Sequence, residues 1–136
     1  MQTRGKLHPI ATPSAKTHSR RLFVRNLVID CAIGIHPHER GRSQRVALAV
    51  TLDIAEPDAP HNDRIAEVVS YDDVVAGIRA IVAEGHINLA ESLAERVADM
   101  CLADSRVTRV NVQVEKLDVL SDEAVVGVEI ERSCAN

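Results

Sequence analysis

Four side chains in this 136-residue sequence have the types and settings that proton-transfer chemistry needs: Glu39, Tyr71, Glu91 and Lys116. Lys116 ends the run "VTRVNVQVEK"; counting back in twos, it shares a face with Val114, Val112 and Val110, the face meant for a core. A lysine there either snorkels to water or occupies a pocket with a shifted pKa, and spacing alone favours the snorkel. Glu91 closes "NLAE", which fits a capping box begun by Asn88. A helix start also offers N–H groups and a carboxylate that can hold a planar ligand edge. Glu39 lies in the polar loop "IGIHPHERGRSQ", where a solvated charge is the ordinary reading. Tyr71 is the single tyrosine, set in "VVSYDDVV" at a helix start; it is either a half-buried ring with a wet hydroxyl or a working acid. His36 and His38 have a spacing that suits zinc on an extended segment. No third ligand is obvious, although His61 and His86 exist, and no metal is expected. A Gly-rich phosphate loop, a G-x-S-x-G elbow and a Cys/His nucleophile pair are all missing.

These residues need elements to hold them. "RLFVRNLVIDCAIGI" and "QRVALAVTLDI" read as strands, the second with Val46, Leu48, Val50, Leu52 and Ile54 alternating against Ala47, Ala49, Thr51 and Asp53. "AEPDAPHNDRIAEVV" is a long connection. Ser70 can cap a first helix, with Asp73 at the capping-box position and Val74, Val75, Ile78, Ile81 and Val82 as its apolar stripe. The chain breaks around Gly85. Asn88 can then cap a second helix whose stripe includes Leu89, Leu93, Val97 and Met100 or Cys101. In the closing strands, Val110, Val112 and Val114, then Ala124, Val126, Val128 and Ile130, face one way. The order is ββααββ: an α+β layer, with two helices on one face of an antiparallel four-stranded sheet. Its other face is wet, and its two edges invite oligomerisation into a barrel.

Composition bounds the partners. Residues 1–21 carry five bases and no acid, which leaves 11 bases and 20 acids in the remainder, a charge of −9. That acidic body argues against nucleic acid. Three cysteines without C-x-x-C spacing read as reduced thiols of a cytoplasmic protein. No apolar run approaches a membrane span, and the N-terminus shows no secretory apolar core. Residues 1–20 are expected as a mobile basic tail, whose Pro9 and Pro13 spoil the amphipathic helix of a transit peptide. Residues 21–136 are expected as one domain.

Residues 22–132 resemble the dihydroneopterin aldolases. The resemblance rests on an ordered set: Ile33-Gly34-Ile35 leading to Glu39 and Gln44, then Tyr71, Leu89 to Glu91, and Lys116. It implies a tunnelling fold whose subunits join into a barrel, as tetramer or octamer, with active sites between adjacent subunits. The implied reaction cleaves 7,8-dihydroneopterin into glycolaldehyde and 6-hydroxymethyl-7,8-dihydropterin, a folate precursor, with no cofactor. By resemblance, Glu91 grips the 2-amino and N3 edge of the pterin, and main-chain groups near Val69, Leu89 and Ala90 complete the slot. Lys116 then works near the breaking bond, Glu39 holds it, and Tyr71 shuttles a proton.

The sequence departs from the aldolase pattern twice. Leu117 follows the lysine where bacterial aldolases usually have proline, and Ala49 replaces a common acid. The lysine–leucine wording is similar to the dihydroneopterin triphosphate epimerases, for which Arg40, Arg42 and Arg45 would be the phosphate-binding candidates. A non-catalytic pterin-binding barrel is the alternative from another class; Glu39, Tyr71 and Lys116 together speak against it.

Overall fold

The computed structural model describes residues 19–55 and 60–134. Six elements follow one another: β1 (Ser19–Cys31), β2 (Gln44–Ala55), α1 (Tyr71–Ala83), α2 (Ala90–Leu102), β3 (Val107–Lys116) and β4 (Val126–Ser133). Short 3-10 turns occupy Pro37–Glu39 and Ile65–Glu67. The expected ββααββ order holds, and the strands form one antiparallel sheet in the order β1-β2-β3-β4. Strand β1 takes in Ser19 and Arg20, the last two residues of the expected tail; the rest of that tail lies outside the described residues.

Alternation decides which sheet face is covered. Val46, Leu48, Val50, Leu52 and Ile54 of β2 are buried, as are Val110, Val112 and Val114 of β3. Both helices lie over that face. Ile78 and Leu93 from the helices are fully enclosed, each contributing roughly 1.5–3 kcal/mol by burial. Where the helices cross, Met100 packs over Gly77, so close that a side-chain carbon on that glycine would collide with the thioether.

Strand β1 carries an irregularity that the sequence pattern conceals. Val24 pairs with Val50, but the next pair is Leu27 with Leu48, so Arg25 and Asn26 together oppose Ala49. Asn26 sits in the left-handed region at φ 59°, which asparagine tolerates better than most residues. This bulge reverses the alternation. Leu22 and Val24 point toward the core before it, and Leu27, Ile29 and Cys31 after it.

The helix starts differ from each other. Ser70 caps α1, its Oγ accepting from the Asp72 N–H at 3.1 Å. The second start is a correction to the sequence reading: Leu89, not Asn88, is the N-cap of α2, and no side chain caps it. Asn88 is already committed, its Oδ1 accepting from Arg40 Nη2 at 2.9 Å. The preceding residue is committed too. Ile87 forms a parallel bridge with Ile33, through Gly34 N to Ile87 O and Ile87 N to Ala32 O, both 2.9 Å. Leu89 therefore leaves the apolar stripe and is exposed.

The uncovered sheet face is polar, as expected. Arg21 Nε is 3.1 Å from Asp53, and Arg109 reaches Asp53 at 3.8 Å and Glu131 at 3.6 Å. Phe23 is half-exposed on this face, with the Arg25 guanidinium 4.0 Å from its ring centroid. Strands β1 and β4 are the sheet edges. Cys31, Cys101 and Cys134 are all free thiols. No helix among the described residues is long and apolar enough to cross a membrane.

Candidate active site

Glu39 is the buried acid of the described residues, with 5% of its surface exposed. Three donors converge on its carboxylate. Lys116 Nζ lies 2.7 Å from Oε2, Gln44 Nε2 lies 2.9 Å from the same oxygen, and the His36 N–H reaches Oε1 at 3.2 Å. Gln44 Nε2 also donates to the Ile33 carbonyl at 2.7 Å, fixing the amide's orientation. The solvated-loop reading of Glu39 is thereby replaced, and so is the free snorkel of Lys116, whose side chain is only 16% exposed.

Local backbone explains how a loop acid becomes buried. Gly34 has φ 135°, and a Cβ there would run into the Glu39 side chain. Only glycine combines that conformation with that approach. The Gly34 carbonyl lies 2.7 Å from His86 Nε2, a contact that places the imidazole proton on Nε2. The turn at Pro37–Glu39 then lifts Glu39 over the end of β2, where Gln44 begins the strand. Lys116 comes from the far side of the sheet's centre, its Cα opposite Val46 on β2 and Val126 on β4.

The hydrogen bond from Lys116 is the main cause that holds the Glu39 carboxyl down. Burial opposes it, while Gln44 and the His36 amide add to it, and the result is a pKa of about 2 against an ordinary 4.5. A depressed folded-state pKa gives stability that is present above the unfolded value and is lost as pH falls toward the folded one. Glu39→Gln is therefore expected to differ most from the parent in melting temperature above pH 4.5. The gap should close as pH falls toward about 2, as read by thermal unfolding of both proteins across that range. A gap independent of pH would show that the carboxylate charge is not what stabilises the loop.

Glu91 is the second residue of α2, exposed, and makes no side-chain hydrogen bond or ion pair to any described residue. The capping-box reading falls with the shifted helix start. What remains is a carboxylate at a helix N-terminus, beside Leu89 and Ala90 and at the same end of the fold as Glu39. The Ile33–Ile87 bridge and the Arg40–Asn88 hydrogen bond set that proximity.

Tyr71 and Val69 are elsewhere. They line a cleft of about 220 Å³ with Leu22, Ile54, Ile65 and Arg106. Val46, opposite Lys116, and Ile54, at this cleft, lie eight residues apart on β2, or roughly 26 Å along an extended strand. The chain therefore brings Glu39, Lys116, Leu89, Ala90 and Glu91 to one end and holds Val69 and Tyr71 at the other. Tyr71 is 58% exposed at this cleft.

Several features touch the site without having been singled out for it. His86 and Asn88 brace its loops, yet no spacing rule links them to Gly34 or Arg40. His36 and His38 stack, with ring centroids 5.7 Å apart, and the described residues hold no cluster of three His, Cys, Asp or Glu side chains with metal-binding geometry. Two of the arginines considered for phosphate are engaged: Arg40 with Asn88, and Arg45 with Asp118 at 2.6 Å. Ala49 lies on the uncovered face opposite the β1 bulge, away from the Glu39–Lys116 pair.

Comparison with known proteins adds a family. The family model described as FolB, dihydroneopterin aldolase, matches residues 22–131. The dihydroneopterin aldolase of Streptomyces coelicolor is 34% identical over 98 residues, spanning 72% of this chain and 82% of its own. That of Escherichia coli K12 is 27% identical over 111 residues, spanning 82% and 91%. Among solved structures, a dihydroneopterin aldolase from Burkholderia thailandensis bound to guanine superimposes with a TM-score of 0.74 and 35% identity, covering 89% of this chain and 94% of that one. The Escherichia coli aldolase in complex with neopterin gives a TM-score of 0.76 at 26% identity, covering 84% and 99%.

Proposed function

The chain belongs to the dihydroneopterin aldolase family, and from that premise we propose how its residues carry out the reaction. The activity is that of a carbon–carbon lyase in folate biosynthesis: 7,8-dihydroneopterin is cleaved to 6-hydroxymethyl-7,8-dihydropterin and glycolaldehyde. The observation that carries the reading is the Glu39–Lys116 pair, 2.7 Å apart with the carboxylate buried, at the same end of the fold as a Glu91 that engages no described residue.

Guanine and neopterin, the molecules bound to the two relatives, share a 2-amino-4-oxo pyrimidine edge. That edge presents an amino N–H and a ring N–H side by side. Glu91 accepts both, in the bidentate geometry that makes such pairs strong. Leu89 and Ala90 supply main-chain groups from the start of α2, where the helix dipole favours the carboxylate. Val69 lines the slot from the opposite side.

Cleavage begins with loss of the proton from the second side-chain hydroxyl. That oxygen's electrons form the aldehyde, and the bond between the first and second side-chain carbons breaks. The released pair runs into the ring C6=N5 bond, giving an enol that is re-protonated at the first side-chain carbon. Lys116, directly or through a bound water, manages the proton at the breaking bond, and Glu39 fixes the ammonium and the hydroxyls. Tyr71 shuttles the proton to or from the first side-chain carbon, whose protonation restores the C6=N5 bond.

Tyr71 and Val69 cannot reach Lys116 within one chain, so a neighbouring subunit supplies them. A head-to-tail ring pairs the open edges of β1 and β4 and places the cleft end of one chain over the Glu39 end of the next. Tetrameric barrels, singly or stacked in pairs as an octamer, satisfy this. The cytoplasm, where free thiols persist, is the compartment that fits.

The deciding experiment incubates the protein with 7,8-dihydroneopterin and assays glycolaldehyde and hydroxymethyldihydropterin, with the triphosphate run in parallel. Stoichiometric release of both products is expected from the free substrate. Their absence would leave a pterin-binding protein, and faster turnover of the triphosphate would favour the epimerase reading.

A further inference from the structure

Lys116 is the last residue of β3, and the chain beyond it runs as a loop until Val126. Strand ends fray, so a lysine there would hold its position poorly without support. Two contacts supply it. The Leu117 N–H donates to the Arg45 carbonyl at 3.1 Å, extending the β2–β3 ladder one step past the lysine. Asp118 then takes three donors from the same residue: the Arg45 N–H at 3.0 Å, Nε at 3.2 Å and Nη2 at 2.6 Å. Arg45 is next in sequence to Gln44, the residue whose amide holds Glu39. The Arg45 guanidinium, by hydrogen bond and charge, keeps the Asp118 carboxyl below its usual range.

We infer that Asp118 is a positioning residue for the reaction: by clasping Arg45, it locks the end of β3 to the start of β2 and so holds Lys116 against Glu39. The inference rests on the reading of Lys116 as the group that acts at the breaking bond. The clasp joins the two segments that carry Glu39's partners, Gln44 on one and Lys116 on the other. A proline at position 117 could not make the ladder hydrogen bond, because it has no N–H; the present sequence fixes the segment through Leu117 and Asp118. The Arg45–Asp118 pair is exposed, with 58% and 33% of the two side chains accessible, so its effect on global stability is small. Its effect on a reacting group two residues away is not, because a displacement of an ångström is enough to slow such a step severely.

The test compares Asp118→Ala, Arg45→Ala and their double variant with the parent. Glu84→Ala, which removes another exposed ion pair on the helix layer, serves as control. Each single variant should lower kcat on the order of tenfold. The double should lose no more than Asp118→Ala alone, which already removes the whole clasp. Arg45→Ala leaves the main-chain N–H on Asp118 and should lose no more than Asp118→Ala does. Binding of the product pterin, held by Glu91, and the melting temperature should stay near the parent's in all of them. Asp118→Asn, which keeps an acceptor for Arg45, should recover part of the loss. Unchanged kcat in both singles, losses that multiply in the double, or an equal loss of pterin binding would overturn the inference. Amide exchange at Leu117 gives an answer that does not depend on turnover: Asp118→Ala should speed it, and an unchanged rate would show that the clasp holds nothing. An inactive parent would instead count against the proposed function.

Discussion

Replacing Lys116 with alanine is expected to lower glycolaldehyde release on the order of 10²–10⁴-fold, the usual contribution of a positioned acid or base. Nζ of this lysine is 2.7 Å from a carboxylate that is almost wholly enclosed, so the ammonium is held in place before substrate arrives. Binding of hydroxymethyldihydropterin should change far less, because Glu91, Leu89 and Ala90 sit on α2 and its N-cap and do not depend on Lys116. The split between kcat and binding is what separates a reacting group from a packing one. Lys116→Ala also removes the main cause of the low Glu39 pKa, so that carboxyl should rise toward its ordinary value of 4.5. Lys116→Met, which keeps the apolar stem, guards against reading a folding defect as lost chemistry. Parent-like kcat in both variants would remove Lys116 from the mechanism.

Tyr71→Phe keeps the ring in its cleft and takes away the proton, and turnover should fall on the order of 10²-fold or more. The sharper outcome comes from mixing. Lys116→Ala chains keep an intact Tyr71, and Tyr71→Phe chains keep an intact Lys116. If each site draws one residue from each of two neighbours, co-assembly of equal amounts restores about one site in four in a head-to-tail ring. The measurement is kcat per subunit before and after the two inactive proteins are unfolded and refolded together. Recovery toward a quarter of the parent value requires sites shared between chains. If no activity returns from a properly assembled mixture, the shared site is wrong, and full activity of Tyr71→Phe alone would reduce the tyrosine to packing.

Much of the fold was legible because alternation and helical period report burial directly. The β2 run from Val46 to Ile54 reads the same in sequence and in structure. Ser70 was legible as a cap because its hydrogen bond is local, to Asp72. Asn88 misled for the opposite reason. Its sequence neighbours say cap, but Arg40, distant in the chain, takes its side-chain oxygen, and the Ile33–Ile87 bridge holds the backbone just ahead of it. The bulge at Arg25 and Asn26 was hidden in a run apolar on both sides, where a reversal of phase leaves little trace.

The sequence by itself determined the order of elements, the buried rows and the chemical types on offer: two carboxylates, a lysine, a phenol. Those depend on each residue and its near neighbours. Tertiary structure decided which of them meet. It pressed Glu39 against Gly34 within one loop and against Lys116 from a strand far along the chain, and burial of the carboxylate turned two unremarkable charges into a fixed donor and acceptor. It also placed Tyr71 and Val69 at the other end of the sheet, because α1 starts where β2 finishes, so within one chain the phenol and the lysine stay apart.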